Sequence, residues 1–239
     1  MTTWWPYLRL LAAALALVAI LRQLTLAIGS ARAAETPWGS HVPTVIANFF
    51  SYFTILSNLS CVVALVLGGI WLLRARRDDS VEPVWLATLF ACASTYIIVT
   101  GIVYNVLLRS IPIAGISDVW TNETLHVVIP LVLLADVFLA PRRRFPPWRT
   151  IGVVVMFPIL WAVYTMFRAN LVTGPATGDP WWYPYPFLDP HLVAGGYAGV
   201  AGYIVAIALV ITAVAAGVVW IGRRRSRDDS QRRSSWQAG

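Results

Sequence analysis

The sequence predicts an all-α, polytopic membrane protein: a bundle of six transmembrane helices with both termini cytoplasmic. Three observations carry this. The 239 residues are 58% hydrophobic and only 12% charged, too little polar surface to cover a soluble domain. The apolar residues fall in long runs that are apolar all round, without the one-sided period of a surface helix. All 18 basic residues are arginine, and they gather in alternate gaps between the runs.

The spans run over about Pro6–Ile28, Phe49–Leu73, Val84–Leu108, Val119–Ala140, Ile151–Val172 and Leu192–Ile221, each long enough for the hydrocarbon core. Trp4 and Trp5 anchor the first at an interface. Ala31-Arg32-Ala33 resembles a signal-peptidase site, but the run before it is longer than a signal segment. The gap after the second span holds Arg74, Arg76 and Arg77, and the gap after the fourth holds Arg142, Arg143, Arg144 and Arg149. The end of the chain holds Arg223, Arg224, Arg225, Arg227, Arg232 and Arg233, whereas the remaining gaps have only Arg32, Arg109 and Arg168. Arginine-rich gaps stay on the cytoplasmic side, and six spans then return both termini to that side. The expected location is the cell membrane. Residues 1–222 form the transmembrane domain, and residues 223–239 a disordered, arginine-rich cytoplasmic tail able to meet anionic lipid. Gly195, Gly199 and Gly202 in the last span read as close helix packing.

Several function classes are set aside by what is missing. The net charge of +7 is explained by topology, and no nucleic-acid-binding motif accompanies it. Cys61 and Cys92 lie in apolar runs without a CxxC pattern and read as buried thiols. There is no GxSxG and no HExxH. His41, His126 and His191 all fall on the outer side, but their spacing matches no metal-ligand pattern, so neither metal nor cofactor is expected.

The informative residues are polar ones inside apolar runs. An ionisable ring such as His126 within a span faces a protein interior or a wet cavity. Thr54 lies five residues past Phe49, and His126 seven past Val119, which places both about 8–10 Å below the outer boundary. Ser51, Thr54, Asn58 and Cys61 recur at helical steps and read as one polar stripe. Asn122 and Glu123 precede His126 by one turn; Arg22, Gln23, Tyr104, Asn105 and Arg168 belong to the same outer half. The inner half reads as largely aliphatic, with Asp136 the main exception.

A polar pocket of this kind suits nucleophilic chemistry. An imidazole can take the proton of a threonine hydroxyl at neutral pH. Asn58, Tyr104, Asn105 and Asn122 are pocket or oxyanion candidates, and Glu123 is placed to orient the histidine. Each group also has a structural reading. Thr54 can bond the carbonyl one turn earlier, and His126 can serve an interhelical bond or pair with Glu123. Asn58 can act as helix–helix glue, and Arg22 and Arg168 can snorkel to the interface.

Three motifs in order resemble one known family. They are Phe53–Asn58 (FTILSN), Asn122-Glu123-Thr124-Leu125-His126 followed by Pro130, and Trp182–Asp189 (WYPYPFLD). The chain resembles the bacterial six-helix branch of the androgen-induced, androgen-dependent integral-membrane protein family. That resemblance implies a threonine hydrolase cleaving fatty-acid esters, with Thr54 as nucleophile and His126 as base. A membrane lipid or fatty-acid ester is then the expected substrate. The proline-stiffened loop, with Tyr185, Phe187 and Asp189, is expected to shape the pocket mouth. The opposing expectation is a non-catalytic membrane protein, a lipid-binding, scaffold or transport component.

Overall fold

A computed structural model describes residues 3–75, 81–110, 118–144 and 146–237, with side chains as far as residue 225. Arg76 and Arg77, two of the arginines used to assign topology, lie outside the described residues. The described chain is all helical, without strands: α1 (Trp5–Ala33), α2 (Val42–Phe49), α3 (Phe53–Arg74), α4 (Val84–Val103), α5 (Val119–Glu123), α6 (Ile129–Leu139), α7 (Thr150–Ala169) and α8 (Tyr197–Gln237). A π-helical turn, Tyr104–Leu108, extends α4, and a second, Thr124–Val128, joins α5 to α6. Six stretches are long and apolar enough to cross a membrane: Trp5–Ala33, Phe53–Arg74, Val84–Leu108, Val119–Leu139, Thr150–Ala169 and Tyr197–Arg225.

The six spans fall where the apolar runs predict them, and two of their starts move for local reasons. Pro43 opens the separate short helix α2, and the chain breaks at residues 50–52 before α3 begins at Phe53. Ser51 therefore sits in a turn rather than on the stripe with Thr54, Asn58 and Cys61. Thr54 is in the first turn of α3, not several ångströms along it. The last span starts at Tyr197 rather than Leu192, because Gly195 (φ +83°) and Gly196 (φ +58°) adopt the left-handed conformation that ends a turn. A Cβ on Gly199 would meet Val193 Cγ1 at 2.6 Å and the Ala194 carbonyl, so this glycine packs on its own preceding turn. Gly202 has nothing within 4 Å, and the helix-packing reading does not hold there.

Helix α8 runs past residue 223 to Gln237. Arginine is a good helix former. Arg225 donates to the carbonyls of Val137 (2.9 Å) and Ala140 (2.8 Å), which are last-turn acceptors of α6 without helical partners.

Small residues bring α1, α3 and α4 close. Ala12, Ala13 and Ala16 of α1 share a fully packed cluster with Cys61, Ala64 and Leu65 of α3. At the arginine-rich end the interior is ionic rather than aliphatic. Asp136 accepts from Trp5 Nε1 (2.8 Å), Arg9 Nε (2.8 Å), Arg9 Nη2 (3.0 Å) and Arg143 Nη1 (2.7 Å). Arg143 also approaches Glu82 at 3.5 Å, and the guanidinium groups of Arg9 and Arg143 each lie 4.3 Å from the centre of the Phe90 ring. Arg9, Glu82 and Asp136 are all but inaccessible. Burial pushes the Glu82 carboxyl above the ordinary carboxylate range, and Arg143 and Arg9 draw it back in part. The aliphatic reading of this half is thus corrected: Asp136 is the hub of a charge cluster that a lone Arg9 in an alanine-rich run did not announce.

Candidate active site

The site forms where the N-terminal turn of α3 meets the loop before α8. The first N–H groups of a helix have no internal partner. Tyr52 precedes α3 in an extended conformation and offers no side-chain cap. Tyr185, 131 residues away, supplies it: its phenol oxygen accepts the Thr54 N–H at 3.1 Å and lies 3.2 Å from Thr54 Oγ1. Because that oxygen already accepts from the backbone, its own proton is available to the threonine oxygen. Thr54 does not bond the carbonyl one turn earlier. Burial pushes the Tyr185 phenol above its ordinary pKa, with the Thr54 bonds offsetting only part, so it is a neutral donor at physiological pH.

His126 sits in the second π turn and is 7% exposed. Its Nδ1 lies 2.9 Å from the Asn122 carbonyl oxygen, which can only accept. The ring therefore carries its proton on Nδ1 and a lone pair on Nε2, the tautomer a general base needs. Tyr104 stacks on the imidazole with centroids 3.9 Å apart and planes tilted by 24°, and its hydroxyl is bonded by Asn122 Nδ2. Gly101 makes this approach possible: a Cβ there would meet Pro130 Cβ at 3.0 Å and the His126 carbonyl at 3.2 Å.

Asn58 ties the two halves together. Its Nδ2 donates to the carbonyls of Thr54 (2.9 Å) and Leu125 (3.3 Å), which makes it interhelical glue rather than an oxyanion donor. Asn58 Oδ1 and Asn122 Oδ1 are buried without a partner among the described residues. Two expected roles change. Glu123 pairs with Arg109 at 2.8 Å and does not orient the histidine; the Asn122 carbonyl does. Asn105 donates to the carbonyls of Gly101 (2.7 Å) and His126 (3.4 Å) and accepts from Arg109 (2.8 Å), so its amide is a helix tie as well.

Beside Thr54 lies a cavity of about 100 Å³. Phe53, Val99, Trp161, Phe187, Ile207 and Ile211 are among the residues that line it, together with Thr54, Thr100, Tyr104 and Tyr185, and its wall is almost wholly apolar. His126 is not on that wall; the Tyr104 ring, which lines the cavity, also covers the imidazole. No hydrogen bond joins Thr54 to His126 among the described residues. Asp189 lies away from the cavity and caps the next turn, its Oδ1 accepting from the His191 N–H at 2.9 Å. His41 and His191 are engaged elsewhere, with Thr44 (2.8 Å) and with Asp189 (2.9 Å). Arg22 pairs with Asp118 (2.7 Å) and Arg168 bonds Asn48 (2.8 Å).

The residue whose role the sequence concealed is Tyr185. Its loop reads as a pocket mouth, but nothing in the spacing says that its hydroxyl meets Thr54. No protein-family model, curated protein or solved structure matches this chain.

Proposed function

We propose that this chain is an integral-membrane hydrolase of lipid esters, of the fatty-acid-ester type, with Thr54 as nucleophile and His126 as general base. The observation that carries the reading is Thr54 on the wall of a largely apolar cavity, its hydroxyl held by a phenol that can donate to it. The resemblance of the FTILSN, N-x-x-x-H and YPFL segments to the androgen-induced membrane hydrolases supports it. An acyl chain suits the apolar wall, and its ester carbonyl then meets Thr54 Oγ1. In the first step Oγ1 bonds to the carbonyl carbon and its proton passes to His126 Nε2. The Tyr185 hydroxyl turns from Oγ1 to the new oxyanion. The intermediate collapses to an acyl-threonine, and the departing alkoxide takes the proton from His126. Water repeats the sequence and releases the fatty acid. The Tyr104 ring must shift for Nε2 to reach Oγ1.

A second reading has an observation of its own. Thr54 Oγ1 is bonded to Tyr185 and not to His126, which suits a lipid-binding protein without catalysis. Incubation with a fluorophosphonate probe separates the two: covalent labelling at Thr54 supports the hydrolase, and its absence in the folded protein supports the binder. Tyr185→Phe keeps the ring and removes the donor, and is expected to lower kcat by about 10²-fold. Phe187→Ala, which only opens the wall, should act on KM. An unchanged kcat in Tyr185→Phe would remove the phenol from the mechanism.

The proposed setting is the cell membrane with both termini cytoplasmic. Single cysteines at Ser80 and Gly178 should react with an impermeant maleimide from opposite faces. Reaction of both from one face would overturn this topology.

A further inference from the structure

Arg168 stands in the last turn of α7, and no carboxylate pairs with it among the described residues. Its Nη2 donates to Asn48 Oδ1 at 2.8 Å, and its guanidinium lies 5.5 Å from the centre of the Trp182 ring. The other amide atom of that asparagine, Nδ2, is buried without a partner among the described residues, and Asn48 as a whole is 4% exposed. From this pair we propose that Arg168 and Asn48 hold the phosphodiester of a glycerophospholipid whose acyl ester is presented to Thr54. The binding site stands on these two residues; the assignment of the lipid as substrate rests on the hydrolase reading.

The chemistry of the pair is the first argument. By span order, five of the 11 carboxylates fall at this end of the bundle: Glu35, Asp118, Glu123, Asp179 and Asp189. Asp118 pairs with Arg22, Glu123 with Arg109 and Asp189 with His191, and none of the five pairs with Arg168. The Asn48 carbonyl oxygen fixes the guanidinium but cancels no charge. Because Oδ1 and Nδ2 share one carbon, the unused Nδ2 donor sits beside the guanidinium. A buried donor without an acceptor is costly. Two neighbouring donors, one of them cationic, are matched by an oxyanion that offers an oxygen to each.

Position is the second argument. Arg168 and Trp182 lie at the end of the apolar span Thr150–Ala169, ring and cation together as at a headgroup layer. Trp161, on the wall of the Thr54 cavity, precedes Arg168 on α7 by two turns, about 10 Å along the axis. Between them stands Thr165, whose buried Oγ1 also lacks a partner among the described residues. The turn that carries Thr54 is tied to the same helix. Trp161 Nε1 donates to the Ser51 carbonyl at 2.9 Å, and the Tyr164 and Ser51 hydroxyls lie 3.1 Å apart. The cavity continues from Thr54 along Ile207 and Ile211 of α8, ten and 14 residues into that helix from Tyr197. An acyl chain therefore runs inward from Thr54 while the headgroup points outward to Arg168. In a glycerophospholipid the phosphate and the acyl esters are joined through one glycerol, both at the interface, which is the arrangement these residues match.

The test is native mass spectrometry of full-length, delipidated Thr54→Ala protein, in which binding is read without turnover. The probes are oleoyl lysophosphatidylglycerol, monooleoylglycerol and oleate, which share one acyl chain. The lysophospholipid should bind about tenfold more tightly than the neutral glyceride. Arg168→Gln should remove that difference and leave binding of the glyceride as it was. Asn48→Asp should do the same, because it sets a carboxylate against the guanidinium; it also keeps the contact between α2 and α7 should Arg168→Gln not fold. Equal binding of lysophospholipid and glyceride, or a preference that survives both substitutions, would overturn the proposal. Oleate binding more tightly than the lysophospholipid would overturn the phosphodiester and assign the pair to a carboxylate. Turnover of the same esters by the unaltered protein is measured separately. Hydrolysis of none of them, with the binding preference intact, would remove the hydrolase reading and leave a phospholipid-binding site.

Discussion

Thr54→Ala and Thr54→Val are expected to abolish lipid-ester turnover and fluorophosphonate labelling in a protein that still folds. Thr54 sits in the first turn of α3, and its backbone N–H keeps the Tyr185 bond whatever the side chain. The helix cap survives, so the loss is chemical rather than structural. Thr54→Ser retains a hydroxyl and should retain part of the activity. His126→Ala should lower kcat by about 10²–10⁴-fold, the usual contribution of a general base, with little effect on KM because the imidazole is not on the cavity wall. Activity should fall on the acid side, where a protonated ring no longer accepts the threonine proton. Full ester hydrolysis by folded Thr54→Ala would end the mechanism.

Asp136→Ala should be the most destabilising single substitution at the opposite end. It removes the acceptor of four hydrogen bonds, from Trp5, from two nitrogens of Arg9 and from Arg143. Arg9, 1% exposed, is left as a buried cation that keeps one hydrogen bond, to the Gly68 carbonyl at 3.2 Å, and a longer-range attraction to Glu82. Breaking a buried pair in this way costs about 3–5 kcal/mol. Replacing both partners, as in Arg9→Met/Asp136→Leu, should recover much of the loss, because no uncompensated charge then remains. Thermal unfolding in detergent reads the difference. An Asp136→Ala protein as stable as the parent would show that the cluster does not hold α1 to α6.

The spans were legible because bilayer thickness and hydropathy act on every residue of a run, so a local pattern suffices. What escaped depends on one residue or on distant partners. The break before Phe53 ends a short separate helix, α2, that Pro43 opens. Thr54, Asn58 and His126 were legible as costly polar groups in apolar segments, and Asn58 links the Thr54 backbone to that of Leu125, the neighbour of His126. Their partners were not legible. Glu123 stands beside His126 in the chain yet turns to Arg109, while Asn122 serves the imidazole through its carbonyl, a group common to every residue type. Arg9 and Asp136 are 127 residues apart, and no spacing rule joins them.

The two π turns, Tyr104–Leu108 and Thr124–Val128, lie side by side and carry the stacked pair Tyr104 and His126. A π turn is an α-helix with one residue spliced in, and each splice resets the angular count by about 100° for everything beyond it. The faces of these helices on either side of the splice are therefore out of phase. Helix α5 packs on α1, whereas α6 packs chiefly on α4 and α8, although both belong to one continuous span. A helical wheel drawn across Val119–Leu139 merges two frames and hides the direction of the imidazole. In this fold the aim of His126 is set by the number of residues before Pro130 as much as by their kind.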